Sequence, residues 1–538
     1  MSTTNSKAKD PQEHKAGMVC YCPACGDPAK AGEASQWTRR QVIRALMATA
    51  AGSGLAGCSA MAQGPAAAWS GRENPPPHRD CVIEAGAALV WSGDAPVVKH
   101  NVSVRVHDDR IVEVSTEPIR GNTKRVDARG HLLLPGFICG HTHVSVGSYT
   151  RAVIDGGGGS AAPHAVVEAF DDEAMDDLMA FNLLELLRTG VTTVVNQDHN
   201  VRRAYSYVRV ASRWGARGYP SGMIPGVQRL FPIWGRKSDQ VLFDSVPDTM
   251  AEIEANRVFG VRYNGAEEGR IRPNMAPHAT DTHTPETMAK ILEAATQLGN
   301  GIHLHLSQSA SETERVRKLW GMTPVAWLEK LRFYEQGVFA AHLSGMDLEN
   351  DLQIMARSNA FFATCPSGGG PGGTPQPWPE ALAAGVKSGP AIDTHSNDMV
   401  ENIKMAVIHG GARYGLLSRT SKVRMVKPTI EQAVNGATSV PALVLGRTDL
   451  GRIVVGAKAD LITIDVTSPV IGAGAMSPRP LWNILYSSGS QVRNVMTDGY
   501  FQVFDNHFVV DDEARIIRRG GVVVKRMYAE LLQRGYFK

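Results

Sequence analysis

His141 and His143 stand one residue apart in the stretch HLLLPGFICGHTHVSVGS. If the apolar run before them is a strand, alternation of faces puts both imidazoles on one side and Thr142 on the other. Paired imidazoles offer nitrogen donors to a divalent metal. In a chain with 17 histidines the pair alone is weak evidence. Three further stretches repeat the placement of a donor at the end of an apolar run: GIHLHLSQ delivers His305, VFAAHLS delivers His342 and SGPAIDTHSND delivers Asp393. A lone histidine on an apolar strand is more often a packed core residue. Imidazoles and a carboxylate arriving from four strand ends point instead to a shared site. A nitrogen and oxygen donor set suits zinc, and also iron, cobalt or manganese.

The elements that must hold these residues appear as an alternating pattern. VTTVVNQ is followed by YVRVASRWGARG, GIHLHLSQ by SETERVRKLW, QGVFAAHLS by LENDLQIMARS and KSGPAID by NDMVENIKMAVIHG, with FFATCP a further apolar run. Strand-length apolar runs alternating with helical patterns predict an α/β fold with a parallel sheet, most economically a (β/α)8 barrel. Such barrels carry their active sites at the C-terminal ends of the strands. The barrel is placed at residues 138–450. The flanks, 81–137 and 451–517, are rich in short β-like pieces, DDEARII included, and are expected to pair as a small composite β-sandwich. Residues 518–538 read as a C-terminal helix.

With 538 residues, 43% apolar and 20% charged, the chain can bury a sizeable core and form more than one domain. A net charge of +3 gives no electrostatic ground for binding nucleic acid, so the expected partner is a small-molecule substrate. Seven cysteines are too few for a disulfide scaffold. Three of them, Cys20, Cys22 and Cys25, crowd into CYCPACG, which lacks a clear fourth zinc ligand. Residues 1–63 read as a tail and targeting segment, in which Arg39 and Arg40 precede a short apolar stretch rich in small residues. TRRQVI resembles a twin-arginine signal. LAGC, ending at Cys58, resembles a lipobox, and Ala60-Met61-Ala62 an ordinary cleavage site. Export to the periplasm or a lipid anchor at the membrane is expected, with a cytoplasmic enzyme carrying a disordered tail as the alternative. Residues 64–80 are linker-like.

Seven stretches together resemble the amidohydrolase superfamily, in its cytosine deaminase and triazine hydrolase branch, over nearly the whole folded chain. They are LLLPGFICGHTH, ELLRTGVTTVV, MAPHA, GIHLHLSQSASETERV, FAAHLS, AIDTHSND and ATSVPALVLGRTDLGRIVVGAKADLITID. The resemblance implies that His141, His143, His305 and Asp393 bind one metal, that His342 touches the metal-bound water or the substrate, and that His278 lies near the substrate. A metal with an open position lowers the pKa of its water from 15.7 to about 7. Asp393 then serves as general base, and His342 polarises the carbon under attack. A two-metal variant needs a bridging carboxylated lysine. Between His199 and His305 the chain offers Lys237, in a polar loop, and Lys290, in a helical pattern, so one metal is expected. A homo-oligomer is expected by the same analogy.

The pattern also breaks. Gln308 stands three residues after His305, where the branch has a glutamate that moves protons. An amide cannot donate and recover a proton, so Gln308 is expected to orient substrate. Glu312 and Glu314 fall in the following helical pattern and read as a solvated face. The glycine- and proline-dense run from Gly368 to Pro379 reads as a reshaped loop, either a lid or a passive connector. GGGGS, Gly156 to Ser160, either borders the pocket or is a surface linker. Asp198 and His199 in VVNQDHN, and His395 just beyond Asp393, are weaker pocket candidates, and His303 is assigned to packing. The expected function is metal-dependent hydrolysis of a non-peptide carbon–nitrogen bond in a small cyclic or aromatic amide, urea or carbamate-like substrate. The alternatives are a heterocyclic aminohydrolase, a triazine-type dechlorinase and, from another class, a non-catalytic metal-binding lipoprotein.

Overall fold

The computed structural model describes residues 78–93, 95–151, 161–231, 245–368 and 376–536, all within one unit, Gly71–Lys538. CYCPACG, the arginine pair, Cys58, GGGGS, Lys237 and residues 369–375 lie outside the described residues.

The folded part opens with β1 (Asp80–Ser92), β2 (Ala95–His107), β3 (Arg110–Ser115) and β4 (Arg125–Pro135). Then come β5 (Phe137–Thr142), β6 (Val191–Asp198), β7 (Arg217–Ile224), β8 (Ala276–Pro277), β9 (Ile302–Leu306), β10 (Val338–His342), β11 (Ala360–Thr364) and β12 (Ser388–Pro390). β5 to β12 are buried along their whole length. That is why VFAAH and AFFAT are dominated by apolar residues without polar alternation, since parallel strands are covered on both faces; IHLHL alternates, but both its histidines are buried.

These strands form two parallel four-stranded sheets, β5-β6-β7-β8 and β9-β10-β11-β12. Backbone contacts bring the sheets together on both sides. Beside β8, Met275 bridges Ile302, and the His303 N–H donates to Met275 O (2.9 Å). Beside β5, Thr142 bridges Asp393; the Asp393 N–H donates to His141 O (3.0 Å), and Asp393 O accepts from the His143 N–H (3.1 Å). This second seam sets His141, His143 and Asp393 side by side although they are far apart in sequence.

Between the strands lie α1 (Ala161–Glu168), α2 (Asp172–Arg188), α3 (Val201–Trp214), α4 (Pro285–Leu298), α5 (Ala310–Trp320) and α6 (Met399–Leu417). α4 shows the local logic. Thr284 caps its start by accepting the Thr287 N–H, and Gly299, at φ 70°, ends it. Met288, Ile291, Ala295 and Leu298, spaced three and four apart, make the buried face.

The flanks meet in β13 (Leu461–Asp465), β14 (Val492–Thr497), β15 (Tyr500–Phe504) and β16 (His507–Phe508), with β13 antiparallel to β4. Where two facing sheets are expected, the hydrogen-bond ladder is one eight-stranded sheet, β16-β15-β14-β13-β4-β1-β2-β3. Period-two alternation divides its residues between two cores. Leu133 and Leu461 enter a core of the flanks alone, whereas Leu132, Leu134, Ile462 and Ile464 join the large core under the parallel sheets.

DDEARII belongs to a helix and not to the β-rich flank. α7 (Glu513–Gln533) starts five residues earlier than the expected 518 because Asp512 accepts the Arg515 N–H and caps it. Its residues Val523, Met527 and Leu531 share a small core with Met175 and Leu178 of α2.

Candidate metal centre

Four strand ends converge. His141 lies in β5 and His143 just beyond it, His305 is near the end of β9, His342 ends β10, and Asp393 follows β12. One donor atom from each of His141, His305, His342 and Asp393 falls within 4.8 Å of the others. His143 shares the point, with its Nε2 3.2 Å from His305 Nε2 and 3.4 Å from Asp393 Oδ1; His141 Nε2 is also 3.4 Å from that oxygen. The backbone at the site is strained. His342 (φ 78°), Asp393 (φ 64°) and His395 (φ 71°) all occupy the left-handed region, at about 1–3 kcal/mol each.

Hydrogen bonds sort the four imidazoles into two kinds. His143 Nδ1–H donates to the Gln197 carbonyl, and His305 Nδ1–H to His278 O (3.0 Å). His141 Nδ1 lies 2.6 Å from His303 Nε2. All three contacts are satisfied with the proton on Nδ1, which leaves Nε2 as a lone pair aimed at the shared point. His342 differs. The Gln376 amide oxygen accepts the Cys365 N–H (2.8 Å), so its NH2 faces His342 Nδ1 at 3.3 Å. A neutral ring whose Nδ1 accepts must carry its proton on Nε2, and among the described residues that buried Nε2 has no hydrogen-bond partner. Three imidazole lone pairs and a carboxylate therefore fit a divalent cation, beside one N–H donor.

The electrostatics agree. Burial pulls His141 down to about 3, against the pull of Asp393, and holds His305 well below the ordinary histidine value, so both rings are neutral at pH 7. Burial pushes the Asp393 carboxyl up, but the His141 and His143 rings beside its Oδ1 outweigh it and hold the group well below the usual carboxylate range. Gly368 lies against that carboxylate, and a Cβ there would come within 2.5 Å of Asp393 Oδ2. The close approach is the physical reason for glycine at the start of this loop.

Residues 132–516 match the amidohydrolase family. The chain belongs to the amidohydrolase family. The 5-methylthioadenosine/S-adenosylhomocysteine deaminase of Desulfitobacterium hafniense is 27% identical over 403 residues, which cover 73% of this chain and 85% of the relative. The fold is shared with an adenosine deaminase from Xanthomonas campestris with bound zinc (TM-score 0.67, 20% identity, 84% of this chain and 100% of that one). It is also shared with the atrazine chlorohydrolase of Arthrobacter aurescens TC1 complexed with zinc (TM-score 0.67, 18% identity, 82% and 100%).

In this amidohydrolase His143, His305 and Asp393 line a cavity of about 250 Å³, walled in part also by His278, His199, His395 and Gln308. A larger cleft of about 580 Å³ shares His395 but is lined by none of the five converging groups. Asp198 is turned elsewhere. Its carboxylate accepts from Ser145 N (3.2 Å) and Asn196 Nδ2 (2.7 Å) and so braces the turn after β5. His303, expected only to pack, orients His141. Glu312, expected on a solvated face, is buried. Its carboxylate accepts the Gln308 N–H (2.7 Å) and the Thr280 hydroxyl, tying the end of β9 to the segment after β8. Glu314 does face solvent, beside Lys318 at 3.5 Å. Lys290 is an exposed partner of Glu293 (2.8 Å), and no lysine lines the cavity among the described residues. His164, Phe231, Gln376 and Gly368 are the site residues that sequence reasoning missed. His164 had one signal, a histidine in the otherwise apolar APHAVV, but it ends no strand.

Proposed function

We propose that this amidohydrolase binds one divalent metal, zinc in the first place and iron, cobalt or manganese as substitutes, on His141, His143, His305 and Asp393. We propose further that it hydrolyses a non-peptide carbon–nitrogen bond in a small cyclic or aromatic amide, urea or carbamate-like compound. A divalent cation with an open position lowers the pKa of water from 15.7 to about 7. Asp393 accepts the proton of the attacking water and returns it to the leaving nitrogen. His342 donates Nε2–H to the substrate oxygen on which negative charge grows. Gln308, with His278, orients the substrate and moves no proton.

The observation that carries this reading is that Asp393 is the sole carboxyl among the described residues lining the cavity. One carboxylate has to serve both proton transfers, and acyl-type substrates need no second acid to protonate a ring. Deamination of a heterocycle is the second reading, favoured by the deaminase whose length is covered to 85%. Triazine-type dechlorination stands behind it. The metal-replete enzyme should release amines or carboxylates from a panel of aryl amides, ureas and carbamates. Ammonia from ring amines would move the assignment to deamination, and no turnover on any panel would leave a metal-binding protein.

The seams on both sides support reading the two parallel sheets as one closed (β/α)8 barrel. The turn at Asp108–Asp109 meets Arg79 and Ala459, which supports a flank sheet curled into a sandwich. Export on the TRRQVI segment and a homo-oligomer complete the proposal. Mass spectrometry of the mature N-terminus and light scattering test these two. Among the described residues no helix is long and apolar enough to cross a membrane.

A further inference from the structure

Three histidines of the cavity wall, His164, His199 and His395, are used by none of the steps above, and hydrogen bonds single out the first. His164, on α1, lines the cavity and is buried. Its Nδ1 lies 2.5 Å from Tyr149 Oη. Behind the tyrosine, buried Arg203 pairs with Glu168 (2.5 Å) and donates to Ser145 Oγ (2.7 Å) and, more weakly at 3.4 Å, to Tyr149 Oη. A guanidinium only donates. Tyr149 Oη accepts from Arg203, and its own hydrogen, directed to His164 Nδ1, puts the ring proton on Nε2.

The ring is also fixed in plane. Phe231 stacks on its face (5.1 Å between centroids, 21°) and His199 meets its edge (4.4 Å, 72°). His199 in turn lies 5.4 Å from His143, so His164 stands one ring further from the metal donors. Burial first, and then the positive charge of Arg203, hold His164 well below the ordinary histidine value, so a cationic ring is disfavoured.

We propose that His164 is a fixed, neutral hydrogen-bond donor that selects substrates carrying an uncharged acceptor, a carbonyl oxygen or an unprotonated ring nitrogen, on an edge away from the bond being hydrolysed. The inference rests on the hydrolase reading above and names its substrate class. A buried N–H left without an acceptor disfavours any ligand that cannot pair with it, so discrimination of roughly 10- to 100-fold in kcat/KM is expected. Tyr149 is the positioning residue. Among the described residues its hydroxyl is the group that meets Nδ1 and so holds the proton on Nε2.

The test uses the full metal-loaded enzyme and matched pyridyl and phenyl amides or ureas, which differ by one ring nitrogen. Wild type should prefer the pyridyl member. His164→Phe should erase the preference mainly through KM, His164→Gln should restore part of it, and Tyr149→Phe should weaken it at unchanged metal content. Equal losses on both substrates in His164→Phe would overturn the proposal. Nitrogen-15 NMR of the histidines, with His164→Gln for assignment, gives a readout that needs no turnover. The Nε2–H tautomer is expected, shifting in Tyr149→Phe; an Nδ1–H or cationic ring in wild type would overturn the proposal. If wild type turns over neither substrate, the hydrolase reading fails. The His164 resonance, titrated with pyridine and with benzene, then decides the donor role: a shift with pyridine alone supports it, and no shift with either overturns it.

Discussion

Two walls of one cavity treat their titratable groups in opposite ways. At the seam of β5 and β12, His141, His143 and Asp393, joined by His305 from β9, turn their unprotonated atoms toward one point. Beyond the end of β9, Gln308 presents an amide to the cavity, while the carboxyl of Glu312 is spent on the Gln308 N–H and on Thr280. The first wall is built to hold charge, the second to avoid it. On the proposed mechanism, proton traffic therefore has one address, Asp393, and the second wall contributes shape.

The comparison breaks most severely if Asp393 is dispensable. Asp393→Asn is expected to lower kcat by roughly 10³-fold, within the range for a lost general base, with metal content measured on the same samples by mass spectrometry. A near-normal kcat with metal bound would contradict the assignment. Gly368→Ala is expected to cost about tenfold in kcat, because the new methyl must displace the Asp393 carboxylate it would otherwise meet at 2.5 Å. Little change in thermal stability should accompany that loss.

The walls should also answer pH in opposite directions. Burial holds His141 and His278 down to about 3 in the fold, against about 6.5 when unfolded. The unfolded chain then binds more protons in that window, so the chelator-treated protein loses stability as pH falls from about 6.5, by up to about 1.4 kcal/mol per pH unit for each group. Glu312 is the reverse case. Burial first, and then Asp281, push it up to about 8, so the folded state binds the extra proton and stability declines as pH rises from about 4.5 to 8. Melting temperatures across pH should show the acid-side loss in wild type, and Glu312→Gln should flatten the smaller alkaline-side decline. An unchanged alkaline limb in that variant would show that Glu312 carries no such burden.

Much of the first wall was legible in the sequence, because strand-end donors leave a period-two mark: apolar residues up to His141, His305 and His342, then a polar turn. The second wall was not. Glu312 sits on a helical pattern whose outward face carries Glu314 and Lys318, and only the fold reveals that its side chain turns in to meet backbone arriving from β8 and β9. Gln376 and Gly368 act through contacts to His342 and Asp393 made by a loop whose composition says only that it turns. His303 has the same face and period as His305, so spacing alone cannot distinguish a ring that holds a metal from one that orients a ligand. DDEARII was misread for want of one cap, the Asp512 carboxylate on the Arg515 N–H.

The most direct test of the central claim is anomalous diffraction from crystals of the metal-loaded enzyme. One metal is predicted, about 2.0–2.2 Å from Nε2 of His141, His143 and His305 and from an Asp393 oxygen, with His342 Nε2 outside the coordination sphere. A metal bound through His342 in place of His143, or a second metal beside the first, would contradict it.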